Sequence, residues 1–67
     1  MREKFLTYLN QIGIRYALRF AKYEGIALST VQLWITEDDS TVNTQQLDDV
    51  TWMYNAIRIP NTQYPYC

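Results

Sequence analysis

The spacing of Ala21, Gly25 and Val31 is the feature that most constrains how this chain of 67 residues can fold. Three residues separate Ala21 from Gly25 and five separate Gly25 from Val31, which predicts two short helices that meet at a tight corner. A small side chain at position 21 lets the second helix pack closely. Glycine supplies the left-handed turn conformation that other residues reach only with strain. Val31 then points back into the corner, beside Ile26 and Trp34.

The segment that follows this corner carries both helix and strand signals. Ser29 and Gln32 have the Ser-x-x-Gln spacing of a capping box, which marks the start of a helix. However, residues 29–36 are rich in β-branched and aromatic side chains, and their apolar residues alternate as in a strand. An α-β-β-α fold with a hairpin at 29–43 is therefore an alternative. We favour a helix ending near Thr36, because the corner spacing and the capping box agree independently.

The N-terminal part of the chain is also helical in pattern. Residues 2–12 are amphipathic, and their apolar stripe continues in phase as far as Tyr23. Gly13 could end the first helix, but an interior glycine costs only about 1 kcal/mol relative to alanine, so one long helix is equally allowed. Together these patterns predict an all-α protein, a small bundle of three to four helices.

The C-terminal part predicts one further helix and a tail. Residues 45–58 carry a single apolar stripe, and Asn43 or Thr44 can cap the start of this helix. A proline after the stripe would end it. We therefore expect one helical domain at 1–59 and an extended tail at 60–67.

The stretch AKYEGIALSTVQLW, residues 21–34, resembles the helix-turn-helix of phage Cro-type repressors and related regulators. The piece LSTVQLWITE is similar to the recognition helix of phage excisionases. The resemblance covers the middle of the chain and implies a helix-turn-helix at about 15–36 that binds double-stranded DNA. The sequence departs from this pattern because no Arg or Lys lies between Tyr23 and Arg58, where family members often carry one.

The predicted DNA contacts follow from side-chain chemistry. Arg15, Arg19 and Lys22 recur at helical spacing and form a partial basic row suited to phosphates. On the second helix an outward-facing glutamine can pair with adenine, a serine can bond phosphate, and leucines can meet a thymine methyl group. The full predicted set is Arg15, Arg19, Lys22, Leu28, Ser29, Thr30, Gln32 and Leu33.

Charge is distributed unevenly along the chain, although the formal net charge is only −1. Residues 1–23 contain five basic side chains and one acidic one, whereas residues 24–67 contain six acidic side chains and Arg58. This asymmetry predicts one basic face and one acidic face.

Several function classes have little support in the sequence. The chain contains no histidine, and Cys67 is its single cysteine, so the usual general base and the usual zinc ligand sets are missing. We expect no enzyme activity, no cofactor, no metal and no small-molecule substrate. No apolar run approaches the roughly 18 residues of a membrane span, so we expect a cytoplasmic protein without a membrane partner.

These observations predict a small sequence-specific DNA-binding regulator of the phage or mobile-element type. A single module of this size covers little DNA, so we expect a homodimer that pairs through 45–58. The alternative is a small interaction protein that binds and inhibits a protein partner through its acidic or apolar surface.

Overall fold

The computed structural model describes residues 1–58, which form four α-helices. They are α1 (Arg2–Gln11), α2 (Ile14–Tyr23), α3 (Leu28–Asp38) and α4 (Thr44–Ala56). No strand occurs in this described range, so the predicted all-α bundle is confirmed. The whole of the predicted tail at 60–67, including the proline expected to end the last helix, lies outside the described residues, as does position 59.

The alternative hairpin at 29–43 is wrong, and burial along α3 shows why. Val31 and Ile35 are buried, whereas Leu33 between them is 54% exposed. A strand would direct all three side chains to one face, while a helix brings residues four apart to the same face. The buried residues of α3 therefore recur with the helical period. Packing of these residues into the core outweighs the β-propensity of the segment.

Helices α1 and α2 form an antiparallel hairpin, which resolves the choice between one helix and two. Gly13 has φ 149° and ψ 167°, a region of backbone space that is essentially restricted to glycine. The backbone N–H groups of Ile12 and Gly13 both donate to the carbonyl of Tyr8. The chain then reverses, and the rings of Tyr8 and Phe20 pack with their centres 5.2 Å apart.

The corner between α2 and α3 is closed by a complete helix C-cap. Gly25 has φ 75°, which confirms the left-handed turn predicted for it. The Ile26 N–H donates to the Ala21 carbonyl at 2.9 Å, and the Gly25 N–H donates to the Lys22 carbonyl at 3.1 Å. These are the two hydrogen bonds of a Schellman motif, in which glycine occupies the left-handed position. Ala21, Ile26 and Val31 are all buried at this corner.

Both ends of α3 differ from the prediction. The helix begins at Leu28 after Ala27, which makes no side-chain cap, so the predicted capping box of Ser29 and Gln32 is wrong. It continues past Thr36 to Asp38. In this last turn the Glu37 carboxylate lies 3.5 Å from the guanidinium of Arg2 on α1, which offsets part of the unfavourable interaction between acidic residues and the helix dipole.

A tight polar turn connects α3 to α4. The Asp39 carboxylate accepts hydrogen bonds from the hydroxyl and the backbone N–H of Thr41, and these bonds lower the pKa of that carboxyl. Asn43 and Gln46 then form a reciprocal capping box, so the prediction that Asn43 could cap this helix is confirmed.

The four helices surround one small core. Phe5, Leu18 and Val31 are fully buried, and Trp34 packs its ring 5.6 Å from that of Phe5. From α4, Val50 is buried in this core, and three further apolar residues of the same stripe pack around it. The predicted helix at 45–58 is therefore present with slightly different ends, and its apolar stripe covers the core of its own chain. These three residues are Met53, Tyr54 and Ile57, whereas Leu47, the first residue of the stripe, is half-buried.

Replacement of Gly25 tests the role of the corner. A Cβ at this position would meet no atom within 4 Å, so the cost of Gly25→Ala comes from the left-handed backbone alone. We expect a loss of about 1–2 kcal/mol in the free energy of unfolding, measured by urea denaturation. Gly25→Asn should lose less, because asparagine enters this region more readily. An alanine variant as stable as the original chain would contradict this account.

Candidate functional site

The residues predicted to contact DNA divide into two groups in the structure. Arg15, Arg19, Ser29 and Leu33 are exposed on α2 and α3. Thr30 and Leu28 are half-buried at the start of α3, and Leu28 packs against the core. Lys22 and Gln32 are also half-buried, but their polar groups are bonded to α4. These last two side chains have a structural role that the sequence did not reveal.

The Lys22 side chain links the end of α2 to the last turn of α4. Its ammonium group donates to the Tyr54 carbonyl at 2.8 Å and lies 4.5 Å from the centre of the Tyr54 ring. The carbonyl belongs to the C-terminal turn of α4, where the helix dipole attracts a cation. The sequence placed Lys22 in a row with Arg15 and Arg19, whereas its amine is directed towards α4.

Hydrogen bonds from Gln32 link the middle of α3 to the middle of α4. Its amide nitrogen donates to the Thr51 hydroxyl at 2.7 Å and to the Leu47 carbonyl at 3.2 Å. The Thr51 hydroxyl in turn donates to the same Leu47 carbonyl at 3.1 Å. The expectation that Gln32 faces outward is therefore wrong, because α4 packs against that side of α3.

Tyr54 joins α4 directly to the corner. Its hydroxyl donates to the Ile26 carbonyl, one residue after Gly25. Burial raises the pKa of the Tyr54 hydroxyl above its ordinary value, so the neutral, donating form is favoured. We refer to Lys22, Gln32, Thr51 and Tyr54 as the polar clamp, since together they hold α4 against α2 and α3. The sequence indicated only that Tyr54 belongs to an apolar stripe.

The outer surface of α2 and α3 has features suited to an anionic partner. The N-termini of both helices lack a side-chain cap, in contrast to α4 with its capping box. Uncapped N–H groups and the positive end of the helix dipole favour contact with anions. Arg15 is exposed in the first turn of α2. Ser29 and Leu33 are exposed on α3, which leaves hydroxyl and apolar groups accessible along that helix.

The α1–α2 hairpin also contains an open groove of about 350 Å³, and Arg19 is one of the residues that line it. Four aromatic side chains form most of its lining, and charged groups stand at its margins. The guanidinium of Arg19 lies 5.8 Å from the centre of the Tyr16 ring, within the range of a cation–π contact. The groove was not anticipated from sequence, because its residues come from two helices. We call it the aromatic groove, lined by Lys4, Tyr8, Tyr16, Arg19, Phe20, Tyr23 and Glu24.

The outer face of α4 presents an exposed tryptophan. Trp52 is 75% exposed, and Asp48 and Asp49 precede it by one turn on the same helix. Tryptophan is enriched at protein–protein contacts because it offers a large apolar area with a polar N–H. Trp52 therefore lies outside the core of its own chain.

Within residues 1–58, no three His, Cys, Asp or Glu side chains come together in a way that could hold a metal ion. No helix of this range has both the length and the apolar character needed to cross a membrane.

Comparisons of the chain with protein-family models, with curated proteins and with solved structures give no match. The assignment of function therefore rests on the residues and their arrangement.

Removal of one hydroxyl tests the polar clamp. Tyr54→Phe leaves the Ile26 carbonyl without its partner, and we expect a loss of about 1–2 kcal/mol in the free energy of unfolding. Because the folded-state pKa of Tyr54 is raised, its contribution is present below the unfolded pKa near 10 and is lost as pH rises through the folded value. The original chain should therefore lose stability above about pH 10 more steeply than Tyr54→Phe. Parallel pH profiles of the two melting temperatures would contradict the burial of this hydroxyl.

Proposed function

We propose that the protein is a double-stranded-DNA-binding regulator in which α2 and α3 act as a helix-turn-helix. The observation that carries this proposal is the corner itself, where Gly25 occupies the left-handed position between buried Ala21 and buried Val31. In a helix-turn-helix the second helix lies in the major groove and the helix before it crosses the backbone. Such a module acts where DNA is accessible, and the cytoplasm is the proposed location.

The arrangement of the two helices reduces the set of side chains that we propose to contact DNA. Arg15 and Arg19 are exposed cations on α2, suited to phosphates on either side of the groove. On α3, Ser29 and Thr30 offer hydroxyl groups, and Leu33 can meet a thymine methyl group. Leu28, the first residue of α3, is half-buried and packs against the core, where it supports the helix. Lys22 and Gln32 belong to the polar clamp, so the proposal does not require them to touch DNA.

We also propose a homodimer, but with an interface other than the apolar stripe of residues 45–58. Two half-sites about 34 Å apart would each receive one copy of α3. The apolar stripe of α4 covers its own core and is therefore not free to pair. We propose that the dimer interface is the outer face of the same helix, around Trp52, which is 75% exposed.

Salt dependence of binding provides the test. Duplexes selected from a random-sequence library at low salt should bind, with a log–log slope of about −0.9 for each phosphate contact. Arg15→Ala combined with Arg19→Ala should weaken binding and reduce the size of that slope by about 2 units, as two lost phosphate contacts require. The matched control is Lys4→Ala combined with Arg58→Ala, which removes the same charge from two other exposed positions.

The control variant should keep its slope close to that of the original chain. Equal losses in both double variants would show that net charge alone matters and would contradict the assigned interface. Failure to recover any duplex at low salt would reject DNA binding altogether.

A second candidate function is supported by one observation, the exposed Trp52 beside two carboxylates. A small interaction protein would use such a residue as an anchor in a basic, apolar pocket of its partner. In that case the exposed Leu33 of α3 would also contact the partner. Such a contact would not require a basic residue between Tyr23 and Arg58. The same two double variants distinguish this function, because neither should affect binding to a protein through α4.

A further inference from the structure

The outer face of α3 ends at an ion pair with α1. Ser29, Leu33 and Glu37 follow one another at intervals of four residues and are all exposed, so they form one stripe on the outside of the helix. The Glu37 carboxylate, at the C-terminal end of this stripe, lies 3.5 Å from Nε of Arg2. The packing of α1 therefore brings a basic side chain to the outer stripe of α3, although α3 contains no Arg or Lys of its own.

The position of Arg2 along α3 suits a contact with the DNA backbone. Glu37 is eight residues after Ser29, which corresponds to about 12 Å along the helix axis. A recognition helix contacts base edges with its N-terminal residues, and the major groove is about 8.5 Å deep. With Ser29 close to the base edges, Arg2 is therefore farther from them than the groove is deep, at a distance suited to phosphates.

The guanidinium of Arg2 is accessible to a second anion. The Arg2 side chain is 47% exposed in the ion pair, and that of Glu37 is 49% exposed. A guanidinium has five N–H donors, so it can bind a carboxylate and a phosphate together. Exposed ion pairs contribute little to stability. Sharing of Arg2 between Glu37 and a phosphate therefore costs the fold little.

The acidic end of α3 requires a cation at this place if the helix is to approach DNA. Glu37 and Asp38 are exposed there, and their carboxylates repel phosphates. We propose that Arg2, held beside α3 by Glu37, contacts a DNA phosphate and supplies the cation that α3 lacks. Because the partner is DNA, this contact rests on the function proposed above.

The salt dependence of duplex binding tests the contact. Binding of the full-length protein to a duplex selected at low salt is measured by fluorescence anisotropy over a range of salt concentrations. Arg2→Ala should weaken binding several-fold and reduce the size of the log–log slope by about 0.9, as one lost phosphate contact requires. Lys4→Ala removes the same charge from an exposed position of α1 that faces a different direction, and it should leave the slope unchanged. Equal changes in the two variants would overturn the proposal.

A Glu37→Gln background separates a phosphate contact from simple neutralisation of Glu37. Glutamine keeps an oxygen that can accept a hydrogen bond from Arg2 but carries no charge. If Arg2 contacts a phosphate, Arg2→Ala should reduce the slope by about 0.9 in this background as well. If Arg2 only neutralises Glu37, its replacement should have no effect once the carboxylate is absent, and this result would overturn the proposal.

Two further substitutions of Arg2 complete the test. Arg2→Lys keeps the charge and should retain most of the slope, whereas Arg2→Gln should reduce it as much as Arg2→Ala. Equal slopes for the lysine and glutamine variants would overturn the proposal. Circular dichroism at the temperature of the binding experiment shows which variants are folded, and Arg2→Gln replaces Arg2→Ala if the alanine variant is not.

The original chain distinguishes failure of this contact from failure of the proposed function. If it binds a duplex and no Arg2 variant changes the slope, only the contact is wrong. If it binds no duplex at low salt, the contact and the DNA-binding function are both wrong.

Discussion

The left-handed backbone at Gly25 is the constraint on which the rest of the structure depends. It allows the Ile26 N–H to reach the Ala21 carbonyl, which ends α2 and turns the chain within four residues. The close approach of the next helix then requires a small side chain at position 21 and an inward-facing Val31. All three conditions involve residues near one another in sequence, so local chemistry sets the geometry of the corner.

Helix α4 fixes the corner from outside. The hydroxyl of Tyr54 bonds to the carbonyl of Ile26, and Lys22 bonds to the carbonyl of Tyr54, so the turn and the last helix satisfy each other's polar groups. Gln32 provides a second link further along. These bonds use the inner flanks of α2 and α3 and leave their outer surfaces, with Arg15 and Leu33, accessible. The same helix thus stabilises the corner and defines which of its sides is available for binding.

The sequence predicted correctly those features that depend on neighbouring residues. It was misleading for features that depend on packing between residues distant in the sequence. Gly25 was predicted correctly, since a glycine at that spacing has a clear local consequence. The helical state of 29–36 was favoured but contested, because only burial against other helices decides between its two periodicities. The roles of Gln32 and Lys22 were missed, since nothing in the sequence indicates where α4 will lie. The extension of α3 to Asp38 likewise involves Arg2, which is distant along the chain.

Amide hydrogen exchange of the native protein tests the central claim most directly, because it reports on each backbone hydrogen bond of the corner. The amides of Gly25 and Ile26 lie in a turn, yet both donate hydrogen bonds to α2. They should exchange about as slowly as Val31 within α3. The amide of Ser29, at the uncapped start of α3, should exchange much faster. Rapid exchange at Ile26, as expected for a flexible linker between two independent helices, would contradict the account.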